Sequence, residues 1–266
     1  MPLPRPRKRF GQHFLNDPGI IRRLIEAIHP LPGQHLVEIG PGRAALTLPL
    51  LRAAGQLDVI EIDRDLIPLL EPHARRAHGL RIHQADALNF DLKSLADGDK
   101  KLRVVGNLPY NISTPLLFHL FEQLDVIQDL TLMLQREVAE RLNAAPGGKT
   151  YGRLSVMAQY HVRPVILFDV GPGAFSPPPK VHSSVVRLVP RTMTERPAVH
   201  DWPQFERLVA AAFSARRKTL RNALRAHLRP EDFSKLDIDP ALRPERLTAW
   251  DYVKLANFST SACKKS

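Results

Sequence analysis

"HLVEIGPGRAALTLPLLRAAG", residues 35–55, reads as a buried strand, a glycine turn and a helix in direct succession. The run "HLVEIG" (35–40) is short, mostly apolar and continuous, as in a strand covered on both faces. Gly40 and Gly42 let the backbone turn tightly and approach a ligand at the N-terminus of the next helix. "AALTLPLLRAAG" has helical spacing and length.

The alternation continues downstream. Further apolar runs are "LDVIEID" (57–63), "LRIHQAD" (80–86), "LRVVGN" (102–107) and "LTLMLQ" (130–135), with amphipathic segments such as "RDLIPLLEPHARRA" between them. Strand–helix alternation of this kind predicts an α/β fold: a Rossmann-like, doubly wound, mostly parallel sheet with helices on both faces. Upstream, Asp17 as N-cap and Pro18 at the first helical position open a helix through "GIIRRLIEAI". From about residue 150 the rhythm changes. "YGRLSVMAQYH" is helical, and "VILFDV" and "HSSVVRLVP" are strands around the loop "GPGAFSPPPK". With no crossover helix between them these two are antiparallel, so the sheet ends in a hairpin. Beyond "RTMTERP" the pattern is helical only, built on "WPQFERLVAAAFSARRKTLRNALRAHL". The expected division is a ligand-binding domain over residues 1–191, with 1–16 as a basic arm and cofactor-contacting segment, and a small C-terminal all-helical domain over 192–266 that binds RNA.

Of 266 residues 44% are hydrophobic, which supports a full core and excludes global disorder. Lys plus Arg is 38 against 27 Asp plus Glu, a balance of 38 − 27 = +11 that favours a polyanion, most often nucleic acid. The single cysteine, Cys263, excludes a disulfide framework, a Cys-based zinc site and a Cys-x-x-Cys redox site within the chain, and a reducing compartment fits. The histidines have no ligand spacing, so no metal is assigned. No apolar run approaches the roughly 20 residues that span a bilayer. "MPLPRPRKRF" has no apolar stretch after it, so it is not a secretory signal and reads as a mobile arm that lies on phosphate.

In a doubly wound sheet the C-terminal strand ends line one crevice. Gly40, Glu61, Asp86 and Asn107 stand at four such ends. The loop G-x-G-x-x-A, with Glu61 about 20 residues on, also fits a nicotinamide dehydrogenase. Asp86, suited to accept from an adenine amino group, and "GNLPY" (106–110) favour S-adenosylmethionine instead. An adenine N6 is a poor nucleophile because its lone pair is delocalised into the ring. Accepting both of its hydrogens frees that pair, and the Asn107 side-chain carbonyl and the Leu108 backbone carbonyl are two such acceptors. Pro109 fixes the backbone direction, and Tyr110 offers a face for an extruded base. In "AFSPPPKV", Phe175 is either the opposite wall of a base pocket or a core anchor. "FSARRKTLRNALRAHLR" concentrates Arg216, Arg217, Lys218, Arg221 and Arg225. As one helix it carries 217, 221 and 225 on one face that tracks phosphates, an RNA footprint.

The stretches "RKRFGQHFLND", "VEIGPGRAALT", "VIEIDRDL", "QADAL", "GNLPYNISTPLLFHL", "LMLQREVAERL", "YGRLSVMAQY", "AFSPPPKVHSSVVRL", "AFSARRKTLRNAL" and "IDPALRPERL" cover nearly the whole chain in order. Together they resemble the KsgA/RsmA family of small-subunit ribosomal RNA adenine dimethyltransferases. The resemblance implies transfer of four methyl groups from S-adenosylmethionine to N6 of two adjacent adenosines in the 3′-terminal hairpin of 16S rRNA, late in small-subunit assembly. It implies cofactor contacts at His13, Leu15, Gly40, Gly42, Glu61, Asp86 and Asn107, and a transfer site at Asn107, Leu108, Pro109 and Tyr110. RNA contacts fall on Tyr110, Phe175, Arg216, Arg217, Lys218 and Arg221. The implied protein is a cytoplasmic monomer whose partner is the immature small subunit, with no membrane and no metal. His13 stands where the family usually has Asn. A relative acting on large-subunit RNA and an assembly factor without catalysis are the competing readings. "RRKTLRNAL" speaks against the first, and Asn107, Pro109 and Tyr110 speak against the second.

Overall fold

The computed structural model describes residues 6–7, 10–98 and 100–263, with side chains as far as residue 260. Of the basic arm, residues 1–5, 8 and 9 lie outside the described residues, as does the side chain of Cys263. The chain divides into two compact units: Met1–Ala139 with Val165–Pro190, and Glu140–Pro164 with Arg191–Ser266. The second unit thus takes in the stretch before residue 165 as well as the C-terminal tail.

The strands are β1 (Phe14–Leu15), β2 (His35–Ile39), β3 (Leu57–Glu61), β4 (Leu80–Gln84), β5 (Leu102–Asn107), β6 (Ile127–Gln135), β7 (Val162–Val170), β8 (Phe175–Ser176) and β9 (Ser183–Pro190). Seven of them form one sheet in the order β4-β3-β2-β5-β6-β9-β7, while β1 pairs with β8. β4, β3, β2, β5 and β6 run parallel, and β9 is antiparallel to β6. This is the expected Rossmann-like sheet. Its order reverses at β2, which lies between β3 and β5, so a crevice opens beyond the C-terminal ends of β2 and β5.

Leu36, Val37, Leu57, Val59, Val104, Val105, Leu130 and Leu132 are buried, as strands covered on both faces require. Each contributes roughly 1.5–3 kcal/mol by leaving water. β2 and β5 approach so closely at the crevice that a Cβ on Gly106 would meet the Ile39 carbonyl oxygen at 2.5 Å. Only glycine fits there. Helices α1 (Pro18–Ile28), α2 (Thr47–Ala54), α3 (Ile67–Arg76) and α4 (Ser113–Phe121) alternate with the strands. The Asp17 carboxylate caps α1, accepting from Gly19 N–H (2.7 Å) and Ile20 N–H (2.9 Å). The far end of α1 is held by Arg103 of β5, which donates to the carbonyls of Ile28 (2.7 Å) and His29 (3.2 Å) and pairs two-pronged with Asp129 (2.8 and 2.9 Å). Away from the crevice, buried Asp58 accepts from Arg81 (2.9 and 2.6 Å) and lies 2.6 Å from both His35 and His83 Nε2.

The remaining helices are α5 (Arg136–Leu142), α6 (Arg153–His161), α7 (Trp202–Ser214), α8 (Leu220–Ala223), α9 (Pro230–Lys235) and α10 (Ala249–Cys263). In the second unit Tyr160 sits among Trp202, Phe205 and Trp250, with ring centroids 5.5, 5.5 and 6.0 Å away. The one basic helix expected over residues 213–229 does not form. α7 ends at Ser214, and α8 is a separate short turn after an extended Thr219 (φ −67°, ψ 159°). The cause is competition for backbone donors. Leu220 N–H goes to the Leu242 carbonyl (2.7 Å) and Arg221 N–H to that of Pro240 (3.1 Å), instead of carbonyls one turn back. Leu220, Leu224 and Leu228 are buried. Arg217 and Arg225 therefore lie outside helices and share no helical face with Arg221.

Candidate active site

Two adjoining clefts occupy the crevice. One is lined by Phe10–Leu15, Glu38, Gly40, Gly42, Glu61 and the run Asn107–Tyr110. The other is lined by Ala85, Asp86, Leu88 and Ile112, and it shares Phe10, Gly40, Glu61, Ile62 and Pro109 with the first. Of the residues expected to hold a cofactor, His13, Leu15, Gly40, Gly42, Glu61 and Asn107 thus meet at one cleft and Asp86 at its neighbour.

The glycine turn is built for close approach. Gly40 and Gly42 take left-handed φ values of 69° and 56°, and a Cβ on Gly42 would meet the Phe14 ring at 3.0 Å. The turn is tied to β3, because Gly42 N–H donates to Glu61 Oε2 (3.3 Å) and Asp63 N–H to Oε1 (2.9 Å). The Glu61 carboxylate also lines the cleft, where a hydroxyl donor can meet it. Burial raises the Glu61 pKa. Glu38 is 2% exposed, and its Oε2 is buried without a protein partner. Burial, aided by the Glu61 charge, pushes its carboxyl up to about 8. A buried, protonated carboxyl in the cleft wall, the Glu61 carboxylate and a glycine cradle fit a ligand with ribose hydroxyls and a polar end. Asp86 is half-buried; its Oδ1 also accepts from Leu88 N–H (2.9 Å), so it shapes its turn as well as lining the cleft.

At the end of β5, Asn107 Nδ2 donates to the His13 carbonyl (2.9 Å). That bond orients the amide and leaves Oδ1 as its acceptor. Leu108 N–H donates to the Met133 carbonyl (3.1 Å), which fixes the next backbone unit against β6. The Tyr110 hydroxyl lies 2.5 Å from Ser183 Oγ, and its ring stacks on the His13 imidazole at 5.5 Å and 27°. His13 Nδ1 donates to the Pro177 carbonyl (2.8 Å).

The segment before β1 is latched over the crevice. Gln12 Nε2 donates to Asp63 Oδ2 (2.9 Å), and Gln12 Oε1 accepts from Arg7 N–H (2.8 Å). The Arg7 guanidinium pairs with Asp63 (3.3 Å) and with Asp65.

Phe175 does not join these residues. It is 3% exposed, packed with Leu15, Ala174 and Val185 in the hydrophobic core, so of its two readings the structure shows the core anchor. In the second unit Arg216 donates to the carbonyls of Gly148 (3.3 Å) and Lys149 (2.6 Å) and lies 3.8 Å from Glu245, which makes it a brace for that loop. Arg217, Lys218 and Arg221 are exposed. Sequence reasoning missed Gln12, Asp63 and Ser183 and gave Glu38 no role. The signal for Glu38 was a charge inside an apolar strand; Ser183 carried none.

A family model described as "Ribosomal RNA adenine dimethylase" matches residues 4–260. A protein of Pseudomonas aeruginosa named "Ribosomal RNA small subunit methyltransferase A" is 56% identical over 253 residues, covering 95% of this chain and 94% of its own length. A relative of the same name from Aromatoleum aromaticum is 58% identical over 255 residues, 96% of this chain and 94% of that one. Among solved structures, a dimethyladenosine transferase from Plasmodium falciparum superposes with a TM-score of 0.78 at 26% identity, over 91% of this chain and 96% of the other. The 23S rRNA methyltransferase ErmE, at 23% identity and TM-score 0.70 over 93% and 99%, shares the fold.

Proposed function

The chain belongs to the ribosomal RNA adenine dimethylase family and is an S-adenosylmethionine-dependent rRNA adenine dimethyltransferase; from that premise we propose that its substrate is 16S rRNA in the immature small ribosomal subunit. Four methyl groups go to N6 of two adjacent adenosines in the 3′-terminal hairpin, giving N6,N6-dimethyladenosines. The observation that carries this reading is the Asn107 amide, held by its nitrogen at the His13 carbonyl with its oxygen left to accept.

S-adenosylmethionine, when bound, supplies a methyl group already activated on its sulfonium. The protein's part is then to hold and align. Gly40 and Gly42 offer the backbone turn, Glu61 accepts from ribose hydroxyls, and Asp86 accepts from the adenine amino group of the cofactor. Glu38 and the segment His13–Leu15 border its amino-acid end. Asn107 Oδ1 and the Leu108 carbonyl accept the two N6 hydrogens of the target adenosine, which frees the nitrogen lone pair and stabilises the positive charge developing there. Pro109 directs the Leu108 carbonyl, and Tyr110 stacks the base. No general base is required of the chain, since N6 sheds its proton to water after transfer.

The unit of Met1–Ala139 with Val165–Pro190 carries this chemistry, and the unit of Glu140–Pro164 with Arg191–Ser266 holds the RNA strand. Exposed Arg217, Lys218 and Arg221 meet phosphates there, whereas Arg216 serves its own loop. Among the described residues no helix is long and apolar enough to cross a membrane, and the proposed enzyme is a cytoplasmic monomer without a metal. Purified immature small subunits and large subunits, offered separately with methyl-labelled S-adenosylmethionine, test the choice of substrate. Label in the small subunit alone is expected; label in large-subunit RNA would overturn it.

A further inference from the structure

Tyr110 is held at two points by residues remote from its own loop. Its phenol oxygen lies 2.5 Å from Oγ of Ser183, a wholly buried residue at the start of β9. One face of its ring is stacked on His13, at 5.5 Å between centroids and 27° between planes. His13 is itself fixed, because Nδ1 donates to the Pro177 carbonyl at 2.8 Å. A half-buried tyrosine on a loop has two side-chain torsions to settle. Here the hydroxyl bond settles the swing of the ring and the imidazole covers one face.

Resting on the proposed N6 transfer, we propose that Ser183 is a positioning residue of the reaction, acting through Tyr110. Its hydroxyl sets the plane of the ring in advance, and with His13 on one face a purine is admitted to the other. Stacking then costs no further ordering of the tyrosine when the base arrives. Ser183 comes from the antiparallel strand beside β6. Through it the hairpin end of the sheet acts on the transfer chemistry without touching cofactor or substrate.

The test uses the full chain as wild type, Ser183→Ala, Tyr110→Phe and the double variant. Each is assayed for kcat and KM of methyl transfer to immature small subunits. Each is also assayed for quenching of 2-aminopurine placed at the target adenosine of an RNA hairpin, which reports stacking, and for thermal unfolding. Both single variants are expected to lower kcat about tenfold with KM for the subunit little changed. The double variant should lose no more than either single, because both remove the same bond. Quenching should fall in Ser183→Ala while Tm stays within about 3 °C. Losses that multiply in the double variant would overturn the proposal, as would a Ser183→Ala protein with wild-type kcat and quenching. If the wild-type protein transfers no methyl group, the proposed function fails, and the quenching comparison still decides the role of Ser183.

Discussion

Asn107 Nδ2 donates to the backbone carbonyl of His13 at 2.9 Å, joining the end of β5 to the segment ahead of β1 across 94 positions of sequence. The bond orients the amide, and a carboxylate at the same place would set an anionic oxygen against the His13 carbonyl. Asn107→Asp, nearly isosteric, is therefore expected to lower methyl transfer by about 10²-fold or more. Binding to the subunit should stay close to wild type in a filter assay. An equal loss of binding would contradict the assigned role.

Gln12 and Arg7 both reach Asp63, which is 2% exposed at the start of the loop after β3. Asp63→Ala removes the acceptor of this latch and replaces no residue that lines either cleft. Calorimetry should find S-adenosylmethionine bound about tenfold more weakly, with RNA affinity unchanged. Unaltered cofactor affinity would show that the latch does not hold the cleft.

Glu38 gives stability a pH dependence whose sign follows from its burial. Its carboxyl is raised from 4.5 to about 8 in the folded protein, so between these values the native state keeps a proton that the unfolded chain has released. Stability from this group is complete below about 4.5 and is lost as pH rises through about 8. Glu38→Gln has no such titration. Its unfolding free energy relative to wild type should therefore climb by roughly 2–4 kcal/mol from pH 5 to pH 8. Denaturant unfolding across that range measures it, and a flat difference would contradict the shift.

The basic residues of the second unit should separate into two kinds. Arg217→Glu with Arg221→Glu, both exposed, is expected to weaken RNA binding and flatten the plot of log affinity against log salt by about two in slope. Arg216→Ala frees the Gly148 and Lys149 carbonyls and should instead lower stability by about 1–3 kcal/mol in thermal unfolding. An unchanged salt slope in the double reversal would remove that pair from the footprint.

The crevice was legible in the sequence for a simple reason. Gly40, Glu61, Asp86 and Asn107 each stand at or just beyond the C-terminal end of a parallel strand, and periodicity alone marks where such strands stop. Asp17 and Pro18 opened α1 by local capping, which no distant residue overrides. The misreading began where distant groups decide. The N–H groups of Leu220 and Arg221 go to carbonyls about 20 residues downstream, and no local propensity shows that. The pairing of Phe14–Leu15 with Phe175–Ser176 is likewise long-range, and it draws Phe175 into the core. The bond from Ser183 to Tyr110 spans 73 positions, and a serine in a strand announces nothing by itself.

The central claim is tested most directly by mapping nucleosides. Immature small subunits lacking the modification are incubated with the protein and methyl-labelled S-adenosylmethionine, and the 16S rRNA is digested and analysed by mass spectrometry. N6,N6-dimethyladenosine is expected at two adjacent positions of the 3′-terminal hairpin, with four labelled methyl groups per subunit. Absence of dimethyladenosine from that hairpin, with the protein folded and S-adenosylmethionine present, would contradict it.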